Sequence, residues 1–191
     1  MSLNPWSYQL KNTDLTLRGY SQNNSKPTLV HFLPGNGFSS QCYTRLINGL
    51  GTTSDLFLSD PQGHGDSDNG SYFTSWENCA LQALEAFSAI GSKTSHQNTI
   101  GVGHSFGAVA TIMMAYHNPK LFTRLVLLDP VIFPKTFLFL MSTAKKLKLE
   151  DQFHMAKSAA SRKTRWQSPQ EAYDYFAGKT LFRNFEPECI H

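Results

Sequence analysis

Five residues, Gly103-His104-Ser105-Phe106-Gly107, constrain this chain more than any other segment because of what flanks them. A strand is predicted over residues 99–102. A helix follows from Ser105 to His117, with Val109, Ile112, Met113 and Tyr116 on one face and Pro119 stopping it. A serine forced onto so sharp a strand-to-helix turn holds strained backbone geometry. Side chains two positions to either side would collide, which makes Gly103 and Gly107 the structural glycines of the elbow, and Ala108 lets the helix approach the sheet. The turn lifts the hydroxyl into the open, so Ser105 is the candidate catalytic nucleophile. The Phe106 N–H lies near the helix N-terminus and is a candidate oxyanion-hole donor.

The remaining pattern supplies a frame for that turn. Residues 6–9 and 14–20 read as two short strands around a meander, with a polar turn over 21–27. Residues 28–33 are a nearly continuous apolar run, as in a strand buried on both faces, and end at Pro34-Gly35-Asn36-Gly37. Helical spacing follows at Tyr43, Leu46, Ile47 and Leu50, with Ser39 or Ser40 as the cap. A strand over 55–59 runs into Asp60-Pro61-Gln62-Gly63-His64-Gly65-Asp66-Ser67. Thr74-Ser75-Trp76-Glu77 reads as a capping box before a helix with apolar Trp76, Ala80, Leu84, Phe87 and Ile90. A last strand covers 125–128 and ends at Asp129-Pro130.

Strand, helix, strand, helix, strand, helix, strand from residue 28 onward implies a mostly parallel α/β sheet with helices on both faces. Ligands in such sheets bind beyond the carboxyl ends of the strands, where the glycine-rich loops fall. Asn36, in the loop after the strand at 28–33, is the candidate for the second oxyanion-hole N–H.

The segment after Pro130 is different in kind. Residues 1–130 carry seven Lys/Arg and eight Asp/Glu, against ten and six in residues 131–191. The second stretch reads as helices, one of them following Ser168-Pro169, so the expected division is a core over 1–130 and a helical lid over 131–191. The stretch Lys145-Lys146-Leu147-Lys148 reads first as a solvated helix face and alternatively as an attractant for anionic substrates or lipid surfaces. Phe137 to Met141 fits an acyl pocket or simple packing equally well, and is far short of the roughly 20 residues of a membrane span. No transmembrane segment is therefore expected. The overall charge of +3 gives no basis for nucleic-acid binding. Cys42, Cys79 and Cys189 form no disulfide framework, and a cytoplasmic location with reduced thiols is the simpler expectation.

Three motifs in order, PGNG at 34–37, DPQGHGDSD at 60–68 and GHSFG at 103–107, make the chain resemble the α/β-hydrolase superfamily, in its lidded serine-hydrolase branch. The resemblance covers nearly all of residues 28–191. It implies a serine acyl-enzyme mechanism on a carboxylic ester or related small-molecule acyl substrate, with no metal and no organic cofactor. Family members with Asp at the elbow cleave carbon–halogen or epoxide bonds, and Ser105 sets this chain apart from them. Members usually carry His-Gly where Pro34-Gly35 stands, and the next residue, here Asn36, supplies the oxyanion N–H.

The family order is Ser, then Asp or Glu, then His. Only 86 residues follow Ser105 here. The family's last two strands and its histidine position have no counterpart, so the expectation is a chain truncated before the catalytic histidine. A serine at its ordinary pKa needs a base. Asp129 is the candidate acid, against the simpler reading that it shapes the turn before Pro130. His104 is too close in sequence to Ser105 to serve as base and is read as packing or hydrogen bonding beside the site. His64 with Asp60, Asp66 and Asp68 is read as a polar turn in preference to a metal site. Gly101-x-Gly103-x-x-x-Gly107 has the wrong spacing for a dinucleotide loop. The alternative from another class is a hydrolase-derived binding module, or an incompetent fragment. The oligomeric state is left open.

Overall fold

The computed structural model describes residues 2–71, 75–91, 96–137, 143, 163 and 165–186. By internal contacts the chain divides into two compact units, Met1–Val131 and Ile132–His191.

The first unit is built on one six-stranded sheet. Its elements are β1 (Asn4–Gln9), β2 (Thr16–Gln22), β3 (Thr28–Leu33), a short 3₁₀ turn (Ser40–Tyr43), α1 (Thr44–Thr53), β4 (Asp55–Asp60), α2 (Trp76–Ile90), β5 (Asn98–His104), α3 (Phe106–His117) and β6 (Arg124–Leu128). The strand order is β1-β2-β4-β3-β5-β6. β1 and β2 form an antiparallel hairpin, and β2 joins β4 antiparallel. The β4–β3, β3–β5 and β5–β6 pairs are all parallel. This is the mostly parallel α/β sheet that the strand–helix alternation implies.

Strand alternation sorts the side chains of β3 to two cores. Leu29 and Leu33 join Phe57, Cys79, Ala83, Phe87, Phe106 and Met114 on the face of α2 and α3. Val30 and Phe32 join Ile47, Leu56, Leu58 and Val102 on the face of α1. All six residues of β4 are buried. Burial on both faces favours apolar runs without alternation; residues 28–33 come close to one, interrupted by His31, whereas β4 buries Asp55, Ser59 and Asp60 beside apolar Leu56, Phe57 and Leu58.

Three local expectations are corrected. The capping residue of α2 is Ser75, whose Oγ accepts the Asn78 N–H at 3.0 Å; Thr74 lies outside the described residues. The turn at Ser40–Tyr43 precedes α1, and Ser39 stands before it without a capping hydrogen bond. In α3 the buried positions are Phe106, Gly107, Ala108, Ala110, Thr111 and Met114, while Tyr116 is 80% exposed. The helix sits so close to β5 that a Cβ on Gly101 would come within 2.8 Å of Thr111 Cγ2. Small residues win the inner face, and the larger Val109, Ile112 and Met113 lie part-buried beside it.

Among the described residues β6 is an edge, paired with β5 alone, and it is apolar: Leu125, Val126 and Leu128 are 38, 45 and 37% exposed.

In the second unit, α4 (Pro169–Ala177) starts with Pro after Ser168, whose Oγ accepts the Glu171 N–H at 3.1 Å. Glu171 in turn accepts the Gln167 N–H at 2.6 Å and pairs with Lys163. Trp166, Tyr175, Phe176 and Phe182 form a chain of ring contacts around this helix and the 3₁₀ turn Thr180–Phe182. The run from 138 to 141, Lys145, Lys146, Lys148, His154 and His191 lie outside the described residues. Among the described residues no helix is long and apolar enough to cross a membrane.

Candidate active site

β3 and β5 are neighbours, with Leu33 in register with Gly103. Their carboxyl ends therefore place the loop at 34–37 beside the turn at 103–107. The crossover that leaves β3 runs to β4 on one side and the crossover that leaves β5 runs to β6 on the other, so the two diverge and open a crevice between β3 and β5.

Ser105 stands between β5 and α3 at φ 52°, ψ −116°. A residue with a side chain at positive φ costs about 1–3 kcal/mol and persists only where surrounding packing fixes it. The packing here is severe. A Cβ on Gly103 would lie 2.6 Å from the Ala108 nitrogen, and one on Gly107 would lie 2.6 Å from the Leu33 carbonyl carbon. Both neighbours are backbone and cannot move aside. The Ser105 N–H donates to the Leu128 carbonyl at 2.9 Å, which ties the elbow to the end of β6.

In the loop after β3 four backbone amides are engaged. The Gly35 N–H donates to the Tyr43 hydroxyl at 2.9 Å and the Gly37 N–H to His64 Nε2 at 2.9 Å. The Phe38 N–H donates to the Gly35 carbonyl at 3.1 Å, and the Ser40 N–H to Asp60 Oδ1 at 2.6 Å. The Asn36 N–H makes no hydrogen bond among the described residues. Phe106 carries the first N–H of α3, a position with no acceptor inside its own helix. Two uncommitted amides thus come from the two loops that meet beside Ser105.

The supporting side chains are buried or half-buried, each with a defined partner. Tyr43, whose hydroxyl is pushed above the ordinary phenol range mainly by burial, lies 2.7 Å from His104 Nδ1. With Gly35 donating into the Tyr43 oxygen, the phenolic hydrogen is free to donate to that nitrogen. Burial likewise raises the Asp60 carboxyl, offset in part by the Ser40 N–H and hydroxyl. Phe106 is 1% exposed and contacts Trp76 edge-on at 5.4 Å.

The structure separates the other candidates from Ser105. Of the five described histidines, His31 is buried in β3 against Ser59, and His96 lies at the start of β5, the far end of the strand, against Asp55. His117 ends α3 against Glu77. His104 faces Tyr43, and His64 uses both ring nitrogens elsewhere. Among the described residues the Ser105 hydroxyl makes no hydrogen bond. Asp129, one residue beyond the carbonyl that holds the Ser105 N–H, is exposed at φ 45°, and none of those five histidines faces it. Among the described residues no group of three His, Cys, Asp or Glu converges on a metal position. Sequence reasoning missed the bracing residues Tyr43, Asp60 and His64. A signal was present for two of them: a Cβ on Gly65 would fall 2.7 Å from Asp60 Cγ, so the Gly-His-Gly spacing marks a loop folded back on its own aspartate.

The family model described as serine aminopeptidase, S33, matches residues 24–175, well over half of the chain. No curated protein matches it by sequence. Among solved structures, E-2-(acetamidomethylene)succinate hydrolase is similar with a TM-score of 0.69 at 18% identity, over 99% of this chain and 62% of that one. A peroxisomal α/β-hydrolase from Saccharomyces cerevisiae gives a TM-score of 0.64 at 18% identity, over 99% and 59%. A hydrolase from Pseudomonas aeruginosa gives 0.64 at 16% identity, over 97% and 64%. The chain thus spans less than two-thirds of the length of each of these structures. Identities this low speak for the fold alone, and it is the family match together with that fold that decides the assignment: the chain belongs to the serine aminopeptidase S33 family, within the α/β-hydrolase superfamily.

Proposed function

We propose that the chain carries the nucleophilic half of a serine hydrolase that cleaves a carboxylic ester or related small-molecule acyl substrate. The observation behind this reading is the Ser105 turn itself, at positive φ between two glycines that tolerate no side chain, beside the uncommitted amides of Asn36 and Phe106. In the proposed reaction Ser105 Oγ attacks the acyl carbon and passes its proton to a base. The carbonyl oxygen takes the negative charge and is held by the two amides. Collapse expels the alcohol, which takes a proton, and leaves an acyl-serine that water hydrolyses. Loss of one oxyanion donor costs about 3–4 kcal/mol of transition-state stabilisation. Asp129 is the proposed acid, on its position after β6. The family description also makes an amide of a peptide N-terminus a substrate class to assay beside esters. Residues 132–191 are proposed as the substrate-selecting lid, and the free Cys42 and Cys79 suit a reducing compartment such as the cytoplasm.

The base comes from outside the described residues, since all five described histidines are engaged elsewhere. That same observation favours a second reading, a hydrolase-derived binding module without turnover. A fluorophosphonate probe separates the two. Labelling of the chain that disappears in Ser105→Ala supports the nucleophile. A chain that does not label, while a fluorescent ester still binds, supports the binding module.

A further inference from the structure

His64 sits where the two proposed oxyanion donors can both be controlled. It is 7% exposed. Its Nδ1 lies 3.0 Å from the Gln62 carbonyl oxygen, which can only accept, so Nδ1 carries the ring proton. Its Nε2 lies 2.9 Å from the Gly37 N–H, which can only donate, so Nε2 presents a lone pair. Two backbone groups of fixed polarity therefore select one neutral tautomer. The same ring stacks on Phe106, with centroids 6.0 Å apart and planes inclined by 16°. Gly37 follows Asn36 in the chain, and Phe106 follows Ser105. One imidazole thus touches the residue next to the first donor and the residue bearing the second.

We propose that His64 is a positioning residue that braces both oxyanion donors, holding the Asn36 loop as hydrogen-bond acceptor to Gly37 and the start of α3 as a stacking surface for Phe106. The inference rests on the reading of Ser105 as nucleophile but concerns a residue that does not touch substrate. It requires a neutral ring. A second proton on Nε2 would point N–H at N–H, and the Gly37 contact would open. The charged group beside the ring is Asp60, at the end of β4; the Asp66 carboxylate in the same loop accepts from the Tyr20 hydroxyl. Residues 34–39 and the first turn of α3 bring no charged side chain, and at the end of β5 the titratable neighbour is His104, across Gly35. Acid that protonates the ring would therefore loosen the loop.

The test combines backbone NMR with fluorophosphonate labelling of the 191-residue chain and of H64F, H64Q and S105A. Phe keeps the stacking ring without an acceptor, and Gln keeps an acceptor near the Nε2 position. The expected results are a Gly37 amide shift that follows the His64 ring titration in the unsubstituted chain and in S105A, and at least tenfold faster Gly37 amide exchange in H64F. The labelling rate should fall about tenfold in H64F, with most of it recovered in H64Q, whose acid limb is gone. A Gly37 amide indifferent to the His64 titration overturns the proposal, as does H64F labelling at the unsubstituted rate. If the unsubstituted chain does not label at all while Gly37 still tracks His64, the brace stands and the nucleophile reading fails. The wild-type titration needs no substitution, so a poorly folding H64F does not remove the test.

Discussion

At position 31, β3 buries an imidazole between apolar Val30 and Phe32. His31 is fully enclosed, with rings of Phe57, Phe87 and Phe122 around it and Nε2 3.0 Å from Ser59 Oγ. Burial lowers its pKa from 6.5 to about 3. The folded chain therefore keeps the ring neutral while the unfolded chain protonates it below pH 6.5, so the unfolded state gains protons and stability falls as the medium is acidified. The slope is about 1.4 kcal/mol per pH unit through that window. From pH 6.5 to 4.5 we expect a loss of about 2–3 kcal/mol from this residue, read as the drop in urea midpoint between the two pH values. His31→Leu should flatten that dependence while carrying a fixed cost for the unpaired Ser59 hydroxyl. An unchanged pH slope in His31→Leu would assign the acid sensitivity to other groups. Of the residues at the candidate site, Ser105, Gly103, Gly107, Asn36 and Phe106 could be named from sequence because their roles follow from short local spacing. His64 and Tyr43 could not. Their roles are defined by partners 27 and 61 positions away, on loops whose meeting depends on the strand order.

The elbow is the element with the least tolerance. Gly107 lies against the backbone of Leu33 and Pro34, so Gly107→Ala forces β3 and α3 apart and disturbs the loop bearing Asn36. Overpacking of this kind costs about 1–3 kcal/mol. For a chain of this size each kcal/mol lowers Tm by about 2–4 °C. Gly107→Ala should therefore melt roughly 2–12 °C below the unsubstituted chain by circular dichroism, and an equal Tm would mean that the close approach is absent in solution. β3 was legible at this scale because it is buried on both faces and leaves an apolar run interrupted by His31 alone after Thr28, while β4 keeps the shorter run Leu56 to Leu58. The inner face of α3 was not. Hydrophobic spacing draws attention to large residues such as Ile112 and Tyr116, whereas close helix-to-sheet contact selects Ala108, Ala110 and Thr111.

The order β1-β2-β4-β3-β5-β6 leaves β6 as the parallel edge of the sheet. Its exposed Leu125, Val126 and Leu128, on a strand that pairs with β5 alone among the described residues, form a template for pairing with another chain. We expect concentration-dependent association in light scattering, reduced by Val126→Lys, and concentration-independent scattering would argue against it. The alternation of elements revealed the parallel body of the sheet, but not the insertion of β4 between β2 and β3, because sequence order carries no record of which neighbour a strand chooses. That insertion reaches the site. β2 runs antiparallel to β4, so its first residues lie beside Asp60. There the Thr16 N–H donates to Asp68 Oδ2, the Arg18 N–H to Ser67 Oγ, and Arg18 Nη1 to Asp68 Oδ1. The loop that carries His64 is thus strapped down by residues nearly fifty positions earlier. A ribosome makes about 5–20 residues per second, so the straps are synthesised some 2–10 s before the loop they hold. Throughout that interval β2 waits without β4, and the hairpin can lock the loop only after β3 and β4 have emerged and paired.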